Sequence, residues 1–170
     1  MYNLTSGQRT EMAFKKFLLS HKATFPLVDL EECLTQQEVI DLALTYQSFR
    51  IDGVLRKNKL TLDELALWDI SKLLDYLFKV DYLVEVELAD KSIWVALDVT
   101  CNPQGLQTKE LEISQLQAPL TRLGISMGVA VLWQTPPVNQ PDSYRRASAL
   151  LETIEFTYEK GRSYGTAILS

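Results

Sequence analysis

Five carboxylates fall within one short stretch, "VDYLVEVELADKSIWVALDVTC", residues 80–101: Asp90 in the turn between its two halves, and Asp81, Glu85, Glu87 and Asp98 in the halves themselves. Carboxylate oxygens are hard ligands suited to Mg²⁺, and a divalent ion so held can polarise a phosphoryl oxygen. The competing reading is a solvated strand face on which acids block edge-to-edge pairing. Asp98 distinguishes the two best, because it sits in the apolar run "IWVALDVTC". An ionised carboxylate there is costly unless it is paired or binds a metal. Alternatively it emerges at the end of its strand and accepts hydrogen bonds from loop backbone. Both readings of Asp98 stay open at this level.

The elements that must position these acids are two strands. Val80, Tyr82, Val84, Val86 and Leu88 alternate with the acids Asp81, Glu85 and Glu87, the period of a strand. Residues 93–99 are nearly all apolar, as for a strand covered on both faces. A two-residue turn at Asp90-Lys91, or a four-residue turn over 89–92, would set Leu83 opposite Asp98, Glu85 opposite Ala96 and Asp81 opposite Thr100. Directly opposed residues share a face, so Asp81, Glu85 and Asp98 are expected on one side, with Asp98 diagonal to both others. A slip of one residue would separate them.

Around the hairpin, residues 5–22 show helical spacing in Phe14, Phe17 and Leu18. Thr35 with Glu38 and Thr61 with Glu64 have capping-box spacing, predicting helices to about Phe49 and across 65–78. Residues 51–60 are expected to be a short strand or loop broken at Gly53. "CNPQG" reads as a turn, 108–123 as a helix kinked or restarted at Pro119, and 127–133 as a buried strand. "QTPPVNQPDS" reads as a loop, 142–160 as a last helix ended by Gly161, and "SYGTAIL" as a short edge strand. A helical crossover should place 127–133 parallel to the hairpin. The expectation is one α/β (or α+β) domain over 1–170, a mixed central sheet with flanking helices. Its parts are a helical 1–60, a core of 61–133, and 134–170 with the proline-rich loop and last helix.

Composition narrows the classes. The 46% apolar and 23% charged content is that of a globular chain, and no apolar run is long enough to span a bilayer. The polar start "MYNLTSGQRTEM" does not read as a signal peptide, and Cys33 and Cys101 fit a reducing cytoplasm more simply than a disulfide. The net charge of −5 comes from residues 61–100, which hold three Lys/Arg against nine Asp/Glu. That acidity counts against a basic nucleic-acid footprint and leaves a cation site open. His21 is the one histidine, which leaves neither a zinc set nor a serine-hydrolase base, and it reads as a helix-surface residue. Walker and Rossmann glycine patterns are absent. "RIDGVLRKNK" (50–59) gathers Arg50, Arg56, Lys57 and Lys59, either a solvated loop or a phosphate contact. The three tryptophans lie on periodic segments and read as core.

Asp81, followed by Asp98-Val99-Thr100 at the end of an apolar strand and then by a helix and a strand, resembles the PD-(D/E)XK nuclease superfamily. The resemblance covers residues 61–133 and implies an αβββαβ, restriction-endonuclease-like core. It implies Asp81 and Asp98 as Mg²⁺ ligands, with Glu85 beside them. Position 100 then takes the place of the lysine that activates water and stabilises the phosphate. Three features depart from the pattern: Val80 replaces the proline, Thr100 replaces the lysine, and only two strands precede the helix, 51–57 being the candidate third. Lys79 and Lys109 are the candidate substitutes for the lysine. An alternative mapping takes Asp98 as the first acid and "ELE" (110–112) as the second. The function implied is a metal-dependent phosphodiesterase acting on nucleic acid. The alternative is a non-enzymatic interaction module that keeps the fold, with a homodimer as one form.

Overall fold

The computed structural model describes residues 3–134 and 143–170. The order is α1 (Ser6–Ser20), α2 (Leu30–Cys33), α3 (Gln36–Tyr46), α4 (Ser48–Asn58), α5 (Leu62–Leu65) and α6 (Ile70–Phe78). Then come β1 (Tyr82–Glu87), β2 (Ser92–Thr100), α7 (Pro103–Gln115), α8 (Gln117–Arg122), β3 (Ile125–Trp133), α9 (Ser143–Glu159) and β4 (Tyr164–Leu169). The sheet order is β1-β2-β3-β4, antiparallel between β1 and β2 and parallel across the other two pairs. This is the expected α/β class, with 127–133 parallel to the hairpin as the crossover argument requires.

Alternation along the strands sends two sets of side chains to two helical layers. Val84, Val86, Val95, Leu97, Val129 and Val131 meet Phe14 and Phe17 of α1 and Leu150 and Ile154 of α9. On the other face Leu83, Ala96 and Ile125 meet α3, α6 and α8. There α7 lies along β3, with Leu106 and Ile113 against Ala130 and Leu132. Gly128 allows this approach, since a Cβ at that position would stand 2.6 Å from Ile113 Cγ2. Trp68 and Trp94 border the second core and Trp133 the first, as their periodic positions suggested.

Several local expectations are corrected. Residues 51–57 belong to α4, not to a third strand. Ile51, Val54 and Leu55 give an apolar stripe at helical spacing, which outweighs one interior glycine at about 1 kcal/mol. The helix stops instead at Lys59, whose φ of 54° is left-handed. A third extended segment lies at 26–28, where Leu27 bridges Val84 and the Val28 N–H donates to the Leu83 carbonyl at 3.0 Å. The helix expected through Phe49 breaks at Gln47 into α3 and α4. The Thr61–Glu64 capping box is present but starts a single turn, and α6 begins afresh after Asp69.

The helix expected at 108–123 starts five residues earlier and divides. Asn102 accepts the Gln104 N–H at 3.0 Å and Pro103 takes the first helical position, so "CNPQG" is a helix start. Pro119 lies near the start of α8, where a missing N–H costs little, in keeping with a restart. α9 gives way to the left-handed Gly161 (φ 67°), and β4 takes the edge position expected for "SYGTAIL". The loop reading of "QTPPVNQPDS" concerns residues of which 135–142 lie outside the described ones. Among the described residues no helix is long and apolar enough to cross a membrane. Cys33 and Cys101 are both free and exposed.

Candidate functional site

The hairpin register differs from the expected one by two residues. Its two-residue turn is Ala89-Asp90, closed by the Leu88 N–H on the Lys91 carbonyl at 2.8 Å. Leu83 pairs with Ala96 and Glu85 with Trp94. An even shift preserves which face each residue takes but changes its neighbours. Asp81, just before β1, therefore comes opposite Asp98 rather than diagonal to it. Glu85 is carried two pairs away, is exposed, and does not join them. Glu87, also exposed, pairs with Ser92 near the turn.

Asp98 is only 2% exposed. Lys109 of α7 donates to its Oδ1 at 2.6 Å, while Oδ2 is buried without a partner. The early start of α7 and the Gly128–Ile113 approach hold the helix low on the sheet, and Lys109 lies one turn before Ile113. Burial alone would lower the Lys109 pKa, but the charge and hydrogen bond of Asp98 outweigh it and the ammonium is held more firmly than usual. Asp98 Oδ1 is thus held by a cation, not by loop backbone.

Asp81 takes the backbone instead: its Oδ2 accepts the Val99 N–H at 2.8 Å. Burial first, and then the Asp98 charge, push its carboxyl from the usual 3.8 up to about 9, against the lowering effect of the Val99 bond. With both carboxyls ionised, Asp98 Oδ2 has no donor; a proton on Asp81 supplies one.

Two more acids face the pair. Glu11 on α1 is pushed up by burial and then by Asp75 of α6, with Lys109 opposing and Asp98 adding to the rise. The Tyr82 hydroxyl donates to the Glu11 carbonyl at 3.0 Å, and its pKa is pushed up to about 12 by burial and then by Glu11, Asp81 and Asp75. A cavity of about 400 Å³ opens beside Asp81, with Glu11, Asp75 and Tyr82 on its wall and Lys15 and Lys72 as its cations. Glu11 and Asp75 were missed from the sequence because no local pattern links α1 and α6 to a hairpin far along the chain.

Thr100 lies two residues beyond Asp98 on the same strand. Its Oγ1 accepts the Asn102 N–H at 3.1 Å and so shapes the lead into α7. Lys79 is the left-handed cap of α6, φ 59°, with no ion pair to either aspartate. Of the two candidate lysines, Lys109 is therefore the one that reaches the site. His21 caps α1 away from these acids, its Nε2 3.0 Å from Ser143 Oγ. Among the described residues no three His, Cys, Asp or Glu side chains form a group that could hold a metal by themselves. Comparison with protein-family models, curated proteins and solved structures gives no match to this chain.

Proposed function

We propose that the chain is a PD-(D/E)XK-like nuclease domain, a metal-dependent phosphodiesterase acting on nucleic acid. The carrying observation is Asp98: buried, ion-paired to Lys109 through one oxygen, and presenting the other, unpartnered, beside Asp81. The order of elements supports the reading. With α2–α6 counted as an excursion, α1, the segment 26–28, β1, β2, α7–α8 and β3 follow the αβββαβ sequence.

The donor set fits Mg²⁺, which takes oxygen ligands and typically needs only one or two carboxylates beside water and substrate phosphate. Asp81 and Asp98 would hold the ion, and when bound it would supply charge neutralisation at the phosphoryl oxygens. Lys109 stands where Thr100 cannot act, as a cation fixed beside developing negative charge. Asp81 must give up its proton to serve as a ligand, so competence rises with pH. Burial of Asp98 under α7 keeps its carboxylate in one orientation, which a surface acid would not keep.

A second reading is a non-enzymatic interaction module, favoured by the lack of a ready three-ligand group among the described residues. Nicking of supercoiled plasmid at low salt with Mg²⁺ or Mn²⁺ separates the two. The nuclease reading expects cleavage by the parent that is lost in both Asp98→Ala and Lys109→Met. Cleavage that persists in both variants, or a folded parent without any, removes it.

A further inference from the structure

We infer that the outward face of α4 docks the sugar–phosphate backbone of a nucleic acid. Ile51 turns into the core and Val54 and Leu55 flank it, which leaves Phe49, Gly53, Arg56 and Lys57 at the centre of the opposite, solvent-facing side. Phe49 is 65% exposed and carries the Arg50 guanidinium 5.4 Å from its ring centre. Arg56 and Lys57 have no ion-pair partner among the described residues. The one acid of this helix, Asp52, lies on its flank.

Gly53 is the telling residue. A glycine inside a helix loses stability relative to alanine unless something needs the missing side chain. Nothing lies within 4 Å of where its Cβ would be, so no packing inside the molecule requires it. A glycine bare to solvent, set between an exposed aromatic ring and two unpaired cations, lets an anionic chain come up to the helix backbone. Cations contact phosphates while the ring packs on a sugar or base, the arrangement typical of non-specific nucleic-acid grooves. Within α4 itself three cations, Arg50, Arg56 and Lys57, stand against the single acid Asp52, so the helix is locally basic in an acidic chain.

The choice of nucleic acid as partner rests on the nuclease reading, but its test does not depend on cleavage. Fluorescence anisotropy of a labelled DNA duplex and of a labelled single strand is measured in EDTA at low salt. The proteins are the parent, Gly53→Leu, Arg56→Glu with Lys57→Glu, and Lys160→Glu in the α9–β4 turn as a charge control. Gly53→Leu is expected to raise Tm through its better helix propensity and to weaken binding tenfold or more. The double charge variant is expected to lose affinity and to flatten the salt dependence by about two in slope. Lys160→Glu is expected to bind like the parent. Equal affinity of Gly53→Leu and the parent, equal loss in Lys160→Glu, or no binding by the parent overturns the proposal. Displacement of DNA by polyglutamate at matched charge overturns it too, in favour of an acidic protein partner. Binding at α4 without plasmid nicking would sink the nuclease reading and leave this one standing.

Discussion

Asp81 faces Asp98 across the end of the β1–β2 pair, and each is held by a different partner: the Val99 N–H for Asp81, the Lys109 ammonium for Asp98. Two carboxyls in one partly dry site with one fixed cation leave a charge to be settled. Burial and the neighbouring Asp98 charge favour a proton on Asp81.

Stability should therefore fall as pH rises. The Asp81 carboxyl goes from an ordinary 3.8 to about 9 on folding, so the native state holds a proton that the unfolded state releases. The associated stabilisation is full below about pH 4 and is lost as pH climbs towards 9. Asp81→Asn keeps an acceptor for Val99 and adds a donor for Asp98. It should melt like the parent near pH 4 and higher at pH 8, by about 1 kcal/mol or a few degrees. Thermal melts in EDTA at the two pH values check this; a lower Tm for Asp81→Asn at pH 8 would contradict the proton-sharing pair.

Metal should replace that proton. At pH 8, millimolar Mg²⁺ is expected to raise the Tm of the parent and to leave Asp81→Asn nearly unmoved, since an amide is a poor ligand beside a carboxylate. The same titration at pH 5 should have a smaller effect on the parent, because the ion must then displace a tightly held proton. Equal shifts for parent and variant would place any bound Mg²⁺ elsewhere.

Lys109→Met leaves Asp98 buried and unpaired. Breaking a buried pair from one side costs 3–5 kcal/mol in general, and the partial exposure of Lys109, 25%, points to the lower end, about 3 kcal/mol. Urea denaturation should show it, and adding Asp98→Asn should recover much of the loss. If the single variant unfolds at the parent's midpoint, the ion pair does not hold the site together.

The packing of α7 offers an indirect handle on the same pair. Gly128→Ala puts a methyl 2.6 Å from Ile113 Cγ2, so α7 must lift or Ile113 must turn. We expect a loss of about 1–3 kcal/mol, the usual cost of overpacking. Ile113→Val or Ile113→Ala in the same chain should relieve part of it. Nicking activity, if present, should drop with Gly128→Ala through Lys109 and return with the second substitution.

The acids that meet were legible because face parity survives any even error in the turn. Reading Asp90-Lys91 for Ala89-Asp90 moved every pair by two and still left Asp81 and Asp98 on one side. The same error misplaced Glu85, since adjacency, unlike parity, needs the exact turn. Asp98 announced itself by its apolar neighbours. Lys109 could not be assigned while α7 was taken to begin at 108, where it would lie in a fraying first turn. The signal that corrects this is Asn102-Pro103, a capping side chain followed by the residue that best tolerates the first helical position. Gly53 misled in the other direction: a residue that usually ends helices was carried by Ile51, Val54 and Leu55. Glu11 and Asp75 had no local signature, because only the tertiary fold brings α1 and α6 to the hairpin.

The bridge between Leu27 and Val84 has a consequence for how this chain could have been assembled. The polypeptide leaves the sheet beside β1 after 26–28 and comes back into β1 itself after α6, so the helical excursion starts and finishes on neighbouring strands, about 5 Å apart in an ordinary sheet. Closing such a detour depends only weakly on its length. Its inner members, α3 and α6, supply side chains that cover the second face and are not free to go. α4 sits farther out, touching chiefly α3 and α6. It is the part that can be traded, extended or re-surfaced with least disturbance to the carboxylates.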